Sequence, residues 1–177
     1  ELRNALARNE FLVYYQPIIE TATGRVVAAE ALVRWAHPLR GLVAPDAFVP
    51  LCESTGLIRA LGLEVFREAA RQQVAWARAG WSLRVSVNLS VQQLRQPDLL
   101  AMLLDAVQAV GADPADLQLE ITESMLLGRD AAVLELLGAI EAAGMSIALD
   151  DFGTGYSNLG YLQRFPIRVL KIDRSFI

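Results

Sequence analysis

Acidic and amide side chains recur near the ends of apolar stretches in this sequence. Glu30, Asn88, Glu120 and the adjacent pair Asp150 and Asp151 each lie in or directly after such a stretch. In a parallel α/β protein the carboxyl ends of the strands meet on one face. Carboxylate and amide oxygens select hard cations such as Mg²⁺ or Mn²⁺. The pattern therefore predicts a site for one such ion, or for two ions about 3.5–4 Å apart.

Each of these residues also has a plainer explanation when it is taken alone. Glu30 shares a strand face with Arg34 and could form a structural ion pair with it. Asn88 could cap the helix that follows its strand, and the two aspartates could belong to a turn. Glu123 lies on the opposite parity from Glu120 and could be a first-turn helix charge. Only the recurrence over five successive strands favours a shared site.

Lys171 lies in the last apolar stretch, between Leu170 and Ile172, and alternation places it on the same face as Asp173. It could contribute to the same site. Alternatively, it could extend outward into solvent or pair with Asp173.

Other site chemistries have little support in the sequence. One histidine, His37, and one cysteine, Cys52, cannot build a zinc site or a well-placed catalytic triad. His37 is therefore expected to be structural or exposed. Trp35, Trp76 and Trp81 are expected to be core or packing residues, because none lies in a basic patch that would bind nucleobases.

Composition narrows the class of protein. The chain has 177 residues, of which 54% are hydrophobic and 20% charged, and this favours one folded domain with a large core. The net charge of −4 and the lack of a basic stripe argue against binding to a nucleic acid duplex. No apolar run reaches the ~18 residues that a membrane span needs. A single cysteine fits a reducing compartment, and a start without Met indicates a piece of a longer protein.

The predicted elements begin with an antiparallel pair of strands. Phe11–Glu20 and Val26–Trp35 are apolar and β-branched, and only Thr21–Arg25 separates them. A parallel crossover needs roughly a dozen residues, so these strands must run antiparallel.

Strands and helices then alternate along the chain. Further strands are predicted at Leu83–Leu89, Leu117–Ile121, Ser146–Asp150 and Arg168–Ile172. Helices are predicted at Pro45–Ala79, at Pro97–Gly111 with Pro97 in the first turn, at Asp130–Ala143, and near Ser157–Gln163. This alternation implies a parallel sheet covered by helices, either doubly wound or closed as a barrel.

Seven segments of the sequence carry recognisable motifs: Gln16-Pro17-Ile18, Glu30-Ala31-Leu32-Val33-Arg34-Trp35, the Pro45–Pro50 stretch with Phe48, Val87-Asn88-Leu89-Ser90, Glu120-Ile121-Thr122-Glu123-Ser124, Asp150-Asp151-Phe152-Gly153-Thr154-Gly155-Tyr156-Ser157 and Leu170-Lys171-Ile172-Asp173. Together they resemble the motifs of the EAL family of cyclic di-GMP phosphodiesterases, over nearly the whole chain. The resemblance implies an α/β fold, a TIM-like (β/α)₈ barrel with an antiparallel first strand, of which this chain lacks the last two strands. Residues 1–177 would form one partial domain, and residues 1–8 would end a linker helix from an upstream domain.

The resemblance also implies roles for the site residues. Glu30, Asn88, Glu120 and Asp150 would bind the first metal ion, and Asp150 would bridge to a second ion also held by Asp151. The catalytic groups would be Glu30, Asp150, Asp151 and Lys171, with Lys171 orienting the attacking water. Contacts with the dinucleotide would come from Gln16, Leu32 and Arg34, with Arg34 on a phosphate. Glu123 would anchor the Asp151–Ser157 loop.

The function implied by the family is hydrolysis of cyclic di-GMP to linear pGpG with Mg²⁺ or Mn²⁺, through two ions. The family continues through two further strands that carry an Ala-Glu-Gly-Val-Glu segment and a glutamine-containing segment, and neither is present here. A catalytically silent cyclic di-GMP receptor is therefore the alternative, and a role as a dimerisation platform is compatible with either. The family further implies a homodimer, an upstream sensory or diguanylate-cyclase-like domain, and a bacterial cytoplasmic location, alone or as part of a membrane-anchored protein.

Overall fold

One mixed sheet organises the protein. The structure is a computed structural model that describes residues 1–126, 131–153 and 163–176. The strands within these residues are β1 (Phe11–Ile19), β2 (Val26–His37), β3 (Gly41–Val43), β4 (Arg84–Asn88), β5 (Leu117–Thr122), β6 (Ser146–Phe152) and β7 (Val169–Ile172). Their spatial order is β1-β2-β4-β5-β6-β7, with β3 paired to β2. The six predicted strands are all found, with ends that shift by one or two residues, and β3 was not predicted because it is only three residues long.

The first strand pair is antiparallel, as the short connection predicts. Gln16 lies opposite Glu30 in the β1–β2 register. The turn between them closes through a hydrogen bond from the Glu20 amide to the Arg25 carbonyl, and Gly24 supplies the left-handed conformation it needs, with φ of 69°. The pairs β2–β4, β4–β5, β5–β6 and β6–β7 are all parallel. This is the strand arrangement of the predicted barrel.

Helices cover one face of the sheet, and those that follow β2 connect the parallel strands as far as β6. They are α1 (Leu2–Ala7), α2 (Val49–Ser54), α3 (Ile58–Arg78), α4 (Val91–Leu94), α5 (Leu99–Val110) and α6 (Ala131–Ala142). Short 3₁₀ turns cover Pro45–Ala47, Pro114–Asp116, Glu123–Leu126 and Arg174–Phe176. No helix among these residues is long and apolar enough to cross a bilayer.

The prediction of one helix over Pro45–Ala79 is wrong. A 3₁₀ turn, α2 and α3 replace it, and the chain breaks at Gly56, whose φ of 74° is incompatible with a continuing right-handed helix. The prediction for Pro97 is also wrong, because Asp98 is the N-cap of α5 and Pro97 therefore precedes the first turn. The short helix predicted near Ser157–Gln163 lies largely outside the described residues, as does Asp130.

The two faces of the sheet differ in composition. The face under the helices carries the apolar residues of alternating positions, among them Ala31, Val87, Leu119, Ile147 and Leu149, all buried. Alternation then directs the polar side chains of the same strands to the opposite face. Packing on the helical face therefore fixes where the candidate site residues point.

Helix α1 packs against the rest of the described structure. Ala5 is buried, and Leu2 and Leu6 pack on the core as partly buried side chains. That residues 1–8 end a linker helix from an upstream domain stays a prediction.

Candidate metal centre and active site

Strand register brings four of the predicted site residues to one end of the sheet. Glu30 and Ser86 are partners in the β2–β4 ladder, and Asn88 and Glu120 are partners in the β4–β5 ladder. Asp150 pairs in the β5–β6 ladder with Thr122, which lies two residues after Glu120. The carboxylates of Glu30, Glu120 and Asp150 each offer an oxygen atom, and these atoms lie within 4.8 Å of one another. We call these three carboxylates the acidic cluster.

Lys171 of β7 lies in the middle of the acidic cluster. Its Nζ atom lies 2.5 Å from Glu120 Oε2, 3.1 Å from Glu30 Oε2 and 3.1 Å from Asp150 Oδ2. Lys171 therefore points into the sheet's polar face. Neither plainer explanation holds, because the ammonium group does not extend into solvent and Asp173 instead accepts a hydrogen bond from the Ser175 amide.

The acidic cluster has the donor set and charge for a divalent cation. Three carboxylates face one ammonium group, which leaves about two negative charges uncompensated at the cluster. The Ser86 hydroxyl lies close enough to lower the pKa of Glu120 but is not in hydrogen-bonding geometry, so the buried Oε1 atom of Glu120 has no hydrogen-bond partner among the described residues. An unsatisfied buried carboxylate oxygen is costly, and a hard cation would satisfy it.

Asn88 and Asp151 border the acidic cluster. Asn88 Nδ2 donates to Glu30 Oε1 over 2.9 Å, so the amide oxygen is the Asn88 atom left to ligate a cation. The Asp151 amide donates to Asp150 Oδ1 over 3.0 Å. Asp151 has a φ of 52°, which is uncommon for a non-glycine residue, and it lies where the β6–β7 register shifts, between Leu149 and Phe152. That both residues ligate a metal stays a prediction.

Burial and charge act in opposite directions on the ionisable groups of the site. Burial alone would lower the pKa of Lys171, but the hydrogen bond and charge of Glu120, with the charges of Glu30 and Asp150, raise it above its ordinary value. Burial raises the pKa of Glu120 above its ordinary value, although the hydrogen bond and charge of Lys171 act to lower it. Burial, followed by the neighbouring charges of Asp150 and Asp173, raises the pKa of Asp151. The site is therefore short of positive charge.

The residues predicted to contact substrate share the face of the acidic cluster. Gln16 is exposed directly opposite Glu30, and Leu32 and Arg34 follow Glu30 at alternating positions of β2. The Arg34 Nη1 atom donates to the Val33 carbonyl. Arg34 therefore does not form the alternative ion pair with Glu30, whose carboxylate bonds to Asn88 and Lys171 instead. Their contacts with a dinucleotide stay predictions.

Glu123 begins the 3₁₀ turn after β5 and is buried, at 5% exposure. Its predicted role is to anchor the Asp151–Ser157 loop, and residues 154–157 of that loop lie outside the described residues. The role therefore stays a prediction.

His37 is structural, as expected. It is buried, its Nε2 lies 2.6 Å from Glu1 Oε1, and its Nδ1 accepts from the amides of Leu39 and Arg40. Trp35 packs in the core and Trp76 packs against it as a partly buried side chain, whereas Trp81 is 59% exposed.

One signal in the sequence could have assigned Lys171 to the site without a structure. Lys171 is the only lysine in the chain, and all other cationic side chains are arginines. A compact primary ammonium group fits among three carboxylates where a planar guanidinium fork would not. A lysine that stands alone in an arginine-rich composition therefore indicates a position where the amine itself is needed.

Comparison with known proteins agrees with this geometry. The family model of the EAL domain matches residues 1–177. The chain belongs to the EAL domain family. Relatives include the bifunctional diguanylate cyclase/cyclic di-GMP phosphodiesterase MucR of Pseudomonas aeruginosa, 42% identical over 180 residues, which cover all of this chain and 26% of MucR. The cyclic di-GMP phosphodiesterase PdeR of Escherichia coli is 40% identical over 99% of this chain and 26% of PdeR. The EAL chain thus spans about a quarter of these relatives.

Solved structures confirm the TIM-like barrel fold of this EAL chain. The phosphodiesterase PaMucR in complex with c-di-GMP superposes with a TM-score of 0.95 at 42% identity, over 99% of this chain and 71% of that one. The EAL domain of FimX from Pseudomonas aeruginosa, bound to c-di-GMP, superposes with a TM-score of 0.88 at 25% identity, over 99% of this chain and 70% of that one.

Proposed function

We propose that this EAL chain is the catalytic part of a metal-dependent phosphodiesterase that hydrolyses cyclic di-GMP to linear pGpG. The observation that carries the proposal is the acidic cluster, with its uncompensated charge and its unsatisfied Glu120 oxygen. It lies in a chain of the same family and fold as a phosphodiesterase solved with c-di-GMP.

The acidic cluster and Asn88 would hold the metal. Glu30, Glu120 and Asp150 would supply carboxylate oxygens, and Asn88 its amide oxygen. When bound, Mg²⁺ or Mn²⁺ would lower the pKa of a water molecule at the site and neutralise negative charge on the phosphodiester oxygens. We further propose two ions, with Asp150 shared between them and Asp151 on the second.

Lys171 and the β2 residues would act on water and substrate. The Lys171 ammonium, which contacts the acidic cluster in the metal-free chain, would move aside when the metal binds and donate a hydrogen bond that orients the attacking water. Arg34 would leave the Val33 carbonyl and bind a phosphate, while Gln16 and Leu32 contact the dinucleotide. The water oxygen would attack phosphorus in line, one P–O ester bond would break, and the released ribose oxygen would take up the proton that the water loses.

The remaining proposals concern the whole protein. Because the chain spans 26% of a bifunctional cyclase and phosphodiesterase, we propose that a sensory or diguanylate-cyclase-like domain precedes it. We also propose that the protein acts in the bacterial cytoplasm as a homodimer and that Glu123 anchors the loop after Asp151.

Product analysis on the full-length protein tests the proposal. Wild type and the Glu30→Ala variant are incubated with cyclic di-GMP and Mg²⁺ or Mn²⁺, and the nucleotides are separated chromatographically. The matched control is Glu64→Ala, which removes an exposed glutamate that pairs with Arg67 on α3. We expect pGpG from wild type and from Glu64→Ala, and none from Glu30→Ala or after addition of a chelator.

Two results would contradict this function. Equal pGpG formation by Glu30→Ala and wild type would exclude the acidic cluster as the catalytic site. Intact cyclic di-GMP that remains bound to the wild-type protein would identify a receptor instead of an enzyme.

A further inference from the structure

The turn that carries Asn88 is held by a buried side chain from the following helix. α4 begins with a capping box, in which the Gln93 amide donates to Ser90 Oγ over 3.3 Å and the Ser90 amide donates to Gln93 Oε1 over 3.1 Å. Ser90 and Gln93 are both buried, at 9% and 4% exposure. A capping box usually lies at a solvated helix end, and here it lies inside the protein.

The chain between Asn88 and Ser90 has an anchor at each residue. Asn88 pairs with Glu120 in the β4–β5 ladder, and the next amide, that of Leu89, donates to the Glu120 carbonyl over 2.9 Å. The Ser90 amide would be the first without a ladder partner, and Gln93 accepts its hydrogen bond. Gln93 thereby extends the fixed part of the backbone beyond the end of β4.

Helix α3 has space at one position for the Gln93 side chain. A Cβ atom at Gly62 would lie 2.1 Å from Gln93 Nε2, 2.6 Å from its Cδ and 2.8 Å from its Oε1. Only a residue without a side chain permits this arrangement, although Gly62 lies inside a helix, where glycine is unfavourable. The space that Gly62 leaves for the Gln93 side chain therefore explains why a glycine stands at this position of α3.

We propose that Gln93, whose side chain packs on Gly62, is a positioning residue for metal binding: it acts on the metal through Asn88. It fixes the turn after β4, and thus the amide that donates to Glu30 and ligates the metal. The inference rests on the proposed function, because it concerns the same metal site. Gln93 itself does not contact the acidic cluster in any hydrogen bond of the described structure.

The Gly62→Ala variant gives the sharpest test. The clashing atoms are the far end of a flexible side chain, so the Gln93 amide moves and the helices stay in place. Alanine also has a higher helix propensity than glycine. We expect Gly62→Ala to unfold at the same temperature as wild type or higher, yet to bind Mn²⁺ roughly tenfold more weakly, as for the loss of a residue that orients a metal ligand.

A pair of glutamine variants on α4 provides the matched comparison. Gln93→Met removes the acceptor for Ser90, whereas Gln92→Met removes a similar side-chain hydrogen bond, from Gln92 to the Glu53 carbonyl of α2. We expect about a tenfold weaker Mn²⁺ affinity for Gln93→Met, and an affinity within about twofold of wild type for Gln92→Met.

The measurement is Mn²⁺ titration of the metal-free full-length protein, with free Mn²⁺ followed by electron paramagnetic resonance. An Asp150→Ala variant defines binding elsewhere in the protein, and thermal unfolding of each metal-free variant is recorded in parallel. Wild-type Mn²⁺ affinity in both Gly62→Ala and Gln93→Met would overturn the positioning role while leaving the proposed function intact. A wild-type protein whose Mn²⁺ binding equals that of Asp150→Ala would overturn the proposed function, and this inference with it.

Discussion

Strand β5 has two faces that are equally buried and chemically opposite. Leu119 and Glu120 are adjacent and have exposures of 0% and 1%. Leu119 belongs to the apolar core under the helices. Glu120 belongs to the acidic cluster, where it contacts Lys171 and has one oxygen without a hydrogen-bond partner among the described residues.

The difference shows that one face of the strand contributes to the stability of the fold and the other face to the function of the site. Burial of Leu119 stabilises the fold, because it removes apolar surface from contact with water and leaves no polar group without a hydrogen-bond partner. Burial of Glu120 opposes the charged form and raises its pKa, so this position costs stability unless a cation is bound. Burial disfavours the charged form of this carboxylate, and a role in function explains why a glutamate nevertheless stands at position 120.

The largest expected effect comes from the polar face. Glu120→Gln keeps the shape of the side chain but removes its charge, so it should lower hydrolysis of cyclic di-GMP by more than about 100-fold, beyond the range found for residues that only orient a ligand. The free energy of unfolding of the metal-free protein should change by less than about 1 kcal/mol, because the charge that burial disfavours is lost. Steady-state kinetics and urea unfolding measure the two effects.

Glu135→Gln on α6 is the control for this substitution, since Glu135 is exposed. It should leave both quantities unchanged. The contrast between the faces would fail if Glu120→Gln unfolded the protein while the folded fraction kept full activity.

The apolar face should give the reverse result. Leu119→Ala should lower the free energy of unfolding by about 2–5 kcal/mol, because it leaves a cavity beneath the helices. Activity per folded molecule should be nearly unchanged. Leu39→Ala is the matched control, as Leu39 is 91% exposed, and its urea midpoint should equal that of wild type. A Leu119→Ala variant with wild-type stability would show that the helical face does not carry the fold.

A third substitution sharpens the electrostatic side of the comparison. Lys171→Met removes the ammonium group that contacts all three carboxylates of the acidic cluster. Their mutual repulsion should then destabilise the metal-free protein, and saturating Mg²⁺ should raise its melting temperature by more than it raises that of wild type. Thermal unfolding with and without Mg²⁺ measures this, and an equal Mg²⁺ shift in both proteins would contradict a shared cation site.

The smallest effect concerns Cys52, on the apolar side. Cys52 is fully buried in α2, and burial raises the pKa of its thiol. A thiol with a raised pKa and no access reacts slowly, so native protein should show almost no labelling of Cys52 by a thiol reagent, and unfolded protein complete labelling. Mass spectrometry of the Cys52 peptide measures it. Rapid labelling in the native state would show that α2 opens readily, and Leu119→Ala should raise the rate.

Much of this architecture could be predicted from local patterns. The short Thr21–Arg25 connection was enough to require an antiparallel pair, and strand alternation placed Glu30 and Glu120 on one face. Helix boundaries were less predictable, because Gly56 was read as part of a helix although it takes a positive φ. The periodicity of apolar residues continues across that break and conceals it.

The partners of the site residues could not be read from spacing. Glu30 had a nearby arginine in sequence, but its actual partner, Lys171, lies 141 residues away. Spacing alone did not decide which face of β7 points inward, because Leu170 and Ile172 are apolar and yet 48% and 61% exposed. The contact between Gln93 of α4 and Gly62 of α3 also joins two helices, and the sequence of neither helix alone indicates this contact.

The most direct test of the central claim is a crystal structure of the full-length protein grown with Mn²⁺, with data collected at a wavelength that gives anomalous signal from manganese. The account predicts an anomalous peak within bonding distance of Glu30, Glu120 and Asp150, with Lys171 displaced from the centre of the acidic cluster. A structure in which Lys171 keeps its three carboxylate contacts, and no manganese binds there, would contradict it.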